Sequence, residues 1–115
     1  MNIAILTGRL TKDPELRSTT SGKSVCSFTI AVDRRFKNAS GEREADFLPC
    51  VAWGQTGEFI AKYFHKGNKI NVEGNIQTRS WEADGGWRYT TEIIVEQAEF
   101  GESKQTGYTN ELPDV

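Results

Sequence analysis

The groups that usually carry catalysis are sparse in this chain. It has one histidine, His65, and two cysteines, Cys26 and Cys50, with no Cys or His close to either thiol. That spacing excludes a zinc site and a redox pair, so both thiols are expected to be reduced and buried. His65 follows Phe64 in an expected last helical turn, where positive charge suits the helix dipole, and no proton-transfer role is expected of it. Asp13, Asp33, Asp46 and Glu92 are conceivable metal ligands for a small nuclease, yet their neighbours supply neither ligand spacing nor a base and nucleophile pair. The expected protein is therefore not an enzyme, with no catalytic residue, metal or cofactor.

Flat rings set among cations are the chemistry the chain does carry. Phe36 stands inside the basic run Arg34-Arg35-Phe36-Lys37, Trp81 follows Arg79 at strand alternation, and Phe47 and Trp53 share a parity with Pro49 and Val51. A ring can stack on any nucleic-acid base, each such contact being worth about 1–3 kcal/mol. Phe36, Phe47, Trp53 and Trp81 are the candidate stacking residues. Arg35, Lys37, Lys62, Lys66, Arg79 and Arg88 are the candidate phosphate contacts, with binding that weakens as salt rises. Single-stranded DNA is the expected partner, because a duplex hides its base faces. Blander readings stand beside these: Trp81 as a strand-end aromatic under a hairpin, the Phe36 cluster as a solvated loop, and the Phe47, Val51 and Trp53 surface as a protein-protein interface.

The elements that must position these residues follow from periodicity. Asn2–Leu10 reads as a first strand that Pro14 prevents from continuing, and Cys26, Phe28, Ile30 and Val32 alternate with polar or small residues along a second. A loop at Lys37–Glu42 leads to a third strand, Asp46–Trp53, with Leu48, Cys50 and Ala52 inward and Pro49 favouring an edge or bulge. From Thr56, the expected N-cap, Phe59, Ile60, Tyr63 and Phe64 fall at helical spacing up to the terminator Gly67. A fourth strand, Lys69–Trp81, puts Ile70, Val72, Gly74 and Ile76 inside, with Gly74 at a bulge or barrel bend, and Asn71, Glu73, Asn75, Gln77, Arg79 and Trp81 outside. Asp84-Gly85-Gly86 turns the chain into a fifth strand, Trp87–Phe100. Three strands, one short helix and two strands match an all-β OB-fold, a five-stranded Greek-key barrel.

A length of 115 residues suits one domain that buries roughly two-thirds of its unfolded surface. Hydrophobic content of 37% and charged content of 26% argue against a disordered or fibrous chain. No apolar run approaches the roughly 20 residues of a spanning helix, and the start lacks a basic leader, so no membrane partner and a cytoplasmic location are expected. The net charge of −2 comes from the end of the chain, where Lys104 faces Glu102, Glu111 and Asp114; residues 1–100 are balanced. Residues 1–100 are expected to form the barrel and 101–115 a short, flexible, polar and acidic tail.

Several runs carry a resemblance to a known family: Leu6-Thr7-Gly8-Arg9-Leu10 with Asp13-Pro14-Glu15-Leu16-Arg17, Phe28-Thr29-Ile30-Ala31-Val32, Tyr63-Phe64-His65-Lys66-Gly67, Val72-Glu73-Gly74, Gln77-Thr78-Arg79-Ser80-Trp81 and Arg88-Tyr89-Thr90-Thr91-Glu92. Over nearly all of residues 1–100 the chain resembles the bacterial and phage single-stranded DNA-binding proteins. The resemblance implies an OB-fold, a homotetramer, and DNA wrapped over strand surfaces and loops, in replication, recombination and repair. It also implies stacking at Phe36, Phe47, Trp53 and Trp81 and phosphate contacts at Lys66 and Arg79. Phe36 and Phe47 stand where some members carry Trp, Pro49 and Gln55 where some carry a cation, and Leu48 where some carry a His near a subunit contact. The end, Asn110–Val115, lacks the terminal Pro-Phe through which longer members recruit replication and repair proteins.

Overall fold

Strands rich in Val, Ile and Thr must pair to satisfy their backbone groups, and a sheet with one apolar face must close on itself or be covered. The computed structural model describes residues 1–102 and does both; residues 103–115, most of the expected tail, lie outside the described residues. Strands β1 (Ala4–Leu10), β2 (Glu15–Ser18), β3 (Ser24–Asp33), β4 (Ala45–Trp53), β5 (Lys69–Ala83) and β6 (Gly86–Phe100) accompany one helix, α1 (Gly54–Tyr63). β1 pairs with both β5 and β3, which closes the ring β1-β5-β6-β4-β3 into the expected OB-fold barrel. All pairings are antiparallel except β4 with β6, which run parallel over Cys50–Ala52 and Ile93–Val95. β2 was not anticipated: after the break at Pro14 the chain resumes pairing with β3, Glu15 opposite Ser27, with all four residues of β2 exposed.

The barrel interior holds Leu10, Cys26, Phe28, Ile30, Cys50, Ala52, Ile70, Val72, Ile93 and Val95, and α1 closes it with Ile60 and the following Phe64. Full burial of a side chain such as Phe64 contributes about 1.5–3 kcal/mol. Phe64 stacks on Phe100 at 4.6 Å and 19°, and Phe59 meets both edge-on, so the helix is docked on the last residue of β6. Burial pushes the Cys26 thiol up to about 11, and burial with the nearby Glu92 charge pushes Cys50 up to about 12.

Two expectations about α1 are corrected. The helix begins at Gly54, whose φ of 62° turns the strand into the helix, so Trp53 takes the N-cap position without a side-chain bond. Thr56 lies within the first turn, its hydroxyl 3.5 Å from the Glu96 carbonyl oxygen. The helix ends at Tyr63, before His65, whose backbone N–H donates to the Asn68 side chain at 2.7 Å. Pro49 stands one residue before pairing with β6 starts at Cys50, an open edge where its missing N–H costs no ladder bond.

The bend of β5 is at Gly74, as anticipated. Glu73 pairs with Gln97 but Gly74 with Val95, so Glu96 is the extra residue of a bulge. A Cβ on Gly74 would stand 1.9 Å from the Ile94 carbonyl oxygen. Ile76, expected inside, is instead 45% exposed. β1 reaches only as far as Ala4 opposite Gly74, and β4 pairs with β6 only up to Ile93 opposite Ile76, so beyond Ile76 and Ile93 β5 and β6 run on as a two-stranded arm. Because backbone oxygen cannot move aside without opening the bulge, Gly74→Ala is expected to cost about 3 kcal/mol. Urea denaturation should read this as a lower midpoint at unchanged slope; a wild-type midpoint would contradict it.

Candidate nucleic-acid interface

Directly paired residues point to the same side of a sheet, and the register therefore defines the outer face of β3, β4, β6 and β5. On β4 it carries Phe47, Pro49, Val51 and Trp53, opposite Ala31, Thr29, Ser27 and Val25 of β3. Ile94 lies beside Val51, and Gln77, Arg79 and Trp81 of β5 stand opposite Glu92, Thr90 and Arg88 of β6. The rings are accessible: Phe47 is 64% exposed, Trp53 47% and Trp81 40%, and Phe36, in the loop joining β3 to β4, 80%. Trp53 borders an open cleft of about 580 Å³ that Lys23, Ser24 and Gln55 also line.

Two ion-pair clusters shape this surface. Arg79 grips Glu92 with its fork, Nε to Oε1 and Nη2 to Oε2 both at 3.1 Å, and its guanidinium carbon lies 4.8 Å from the centre of the Trp81 ring. The bond and charge of Glu92 hold Arg79 above its ordinary value. Arg34 anchors the Phe36 loop by donating to both oxygens of Asp46 at 3.1 and 2.9 Å and to Glu44 at 3.0 Å. Arg43 Nη1 donates to the Arg34 and Arg35 carbonyl oxygens at 2.7 and 2.8 Å, and Asn38 Oδ1 accepts from the Ser40 and Glu42 N–H groups. The Arg34 bond is the main reason the Asp46 carboxyl is held below its ordinary value.

The candidate residues thus fall into three places. Phe47, Trp53, Arg79, Trp81 and Arg88 share the outer face, and Arg35, Phe36 and Lys37 belong to the loop that connects two of its strands. Lys62 sits in the last turn of α1 with Nζ 5.3 Å from the Tyr63 ring centre, and Lys66 lies in the loop after it, its backbone N–H donating to Asp13 at 2.8 Å. Neither lies on the sheet face. Among the described residues no ion pair engages Arg35, Lys37, Lys62, Lys66 or Arg88, whereas Arg79 is paired. No group of three or more His, Cys, Asp or Glu able to hold a metal occurs among them; Asp13, Asp46 and Glu92 instead bond Lys66, Arg34 and Arg79. Nor is any helix there long and apolar enough to cross a membrane.

Sequence reasoning missed the Arg79–Glu92 pair and the exposed Trp87 and Tyr89 on the other face of the arm. The signal was present. A two-residue turn at Asp84-Gly85 aligns Ala83 with Gly86, and counting back from it sets Arg79 opposite Thr90 and diagonal to Glu92.

The chain is similar to known proteins over nearly all its length. The single-strand binding protein family matches residues 1–101. The chain is 52% identical over 108 residues to single-stranded DNA-binding protein 3 of Listeria innocua, covering 93% of this chain and 68% of that one. It is 47% identical over 119 residues to the single-stranded DNA-binding protein of Bacillus cereus, covering 98% and 70%. With single-stranded DNA-binding protein A of Bacillus subtilis it shares 48% over 108 residues, covering 93% and 63%.

The Arg34–Asp46 clamp carries a pH dependence. A carboxyl whose folded pKa is lowered stabilises the fold above its unfolded value, about 3.9, and that contribution is lost as pH falls through the folded value. Amide signals of the Arg34–Glu44 loop are expected to hold from neutral pH down to about 3.9 and to shift below it. Asp46→Asn should abolish that transition and raise amide exchange in the loop at neutral pH. Signals that titrate at the ordinary carboxylate value in the wild type would mean the clamp is open in solution.

Proposed function

The chain belongs to the single-strand binding protein family, and from that membership we propose that it binds single-stranded DNA with little sequence preference and does no chemistry on it. The carrying observation is that Phe47, Trp53 and Trp81 are 64%, 47% and 40% exposed on one sheet face, with Phe36 in the adjoining loop. Unpaired bases lie against these four rings, which is sequence-tolerant because every base has a π-face. Arg35, Lys37 and Arg88 meet phosphates beside the rings, and Lys62 and Lys66 continue the path over the end of α1. Arg79, whose charge is matched by Glu92, contributes least to that sum. The protein coats strands exposed during replication, recombination and repair, in the cytosol of a bacterium or of a phage-infected cell.

Self-association fits the same reading. β1 pairs with β3 only at Arg9 and Leu10, which leaves its other edge open over Ala4–Gly8, and Ile3 and Ile5 beside it are 61% and 75% exposed. A second copy covers that edge in a homotetramer. Replication and recombination proteins are further proposed partners.

Intrinsic tryptophan emission should fall on adding oligo-dT and change little with a duplex of equal length; equal affinity for both would refute single-strand selectivity. Trp81→Ala is expected to weaken binding to all sequences alike, by about ten-fold. Sedimentation velocity of Ile5→Glu should give a smaller particle than wild type, and an unchanged mass would exclude β1 from the interface.

A further inference from the structure

Glu92 is a carboxylate that should not be comfortable where it is. It is 8% exposed on the outer face, and a buried carboxylate is costly unless its oxygens are matched. Arg79 supplies two parallel bonds at 3.1 Å, one to each oxygen, which fixes the plane of the guanidinium. The guanidinium carbon then lies over the Trp81 ring, 4.8 Å from the ring centre. Trp81 itself stands on the two-stranded arm, beyond the barrel core, with only Arg88 directly opposite. The Arg79 guanidinium over its face is a contact that selects one rotamer for this partly exposed ring.

We propose that Glu92 and Arg79 act in series as positioning residues for Trp81: Glu92 sets the guanidinium, and the guanidinium covers one ring face so that the other is presented to a base of a single strand. Arg79 accordingly works through its flat shape and not as a phosphate contact. Lysine has equal charge but cannot reproduce the fork or the stack. The proposal rests on the single-strand reading, and its test contains one arm without DNA.

In a Trp53→Phe, Trp87→Phe background Trp81 is the sole indole. Acrylamide quenching of its emission in free protein should rise at least two-fold in Arg79→Lys and in Glu92→Gln. With oligo-dT, Arg79→Lys and Arg79→Ala should both lose about ten-fold in affinity at an unchanged salt slope, and neither should lose much more when Trp81→Ala is added. Wild-type affinity in Arg79→Lys, together with a slope shallower by about 0.7 in Arg79→Ala, would identify a phosphate contact and overturn the proposal. Should Arg79→Ala unfold because Glu92 is left unpaired, Arg79→Ala with Glu92→Gln removes both charges and is read the same way. Parent protein that leaves oligo-dT free refutes the DNA reading alone. Equal quenching in Arg79→Lys and the parent refutes the positioning role whatever the DNA result.

Discussion

The interior of a five-stranded barrel is narrow, and nearly everything else about this molecule follows from that limit. Its inward positions take Cys, Ala, Val, Ile and Leu, with Phe28 and Phe64 as the large exceptions. Since side chains alternate, the other parity of the same strands must lie outside, whatever its chemistry. Phe47 and Trp53 on β4 are therefore outward by geometry, next to Leu48, Cys50 and Ala52, which have taken the available space. The rings are a product of how tightly the ring of strands closes, and Gly74, against the Ile94 carbonyl, is one place where that closeness is set.

What could be read from the sequence was what depends on local periodicity. The parity of β4 is right because the strand is regular from Ala45 to Trp53, and the bulge at Gly74 was legible because a glycine in an inward register needs a reason. The misplaced features depend on distances in space. Ile76 obeys the alternation yet is exposed, because where the barrel ends is decided by the length of β1, a different segment. Thr56 has the residue type of an N-cap, but the turn into the helix is made by the positive φ of Gly54. β2 has one apolar residue, Leu16, itself 48% exposed, so periodicity carries no trace of it. In the candidate site, the outward positions of Phe47, Trp53 and Trp81 were legible by parity, whereas the Arg79–Glu92 pair needed the register of two strands at once.

Charge on this surface is local. A body balanced between acids and bases does not attract a polyanion as a whole. Several of its acids are already committed, Glu44 and Asp46 to Arg34 and Glu92 to Arg79, and these pairs add order to a loop and to a ring without adding net charge. Of the cations outside such pairs among the described residues, Arg35, Lys37 and Arg88 are found beside the aromatic positions, and Lys62 and Lys66 at the end of α1.

The two thiols inside the barrel have a practical corollary. Thiolate is the form that alkylating reagents and oxidants attack, and Cys26 and Cys50, raised to about 11 and 12 and fully enclosed, hold almost none of it near neutrality. A cysteine introduced on the surface would be the sole maleimide target in folded protein. Fluorophores could therefore be attached at chosen sites without first removing the native sulfur, leaving the packing of the interior intact.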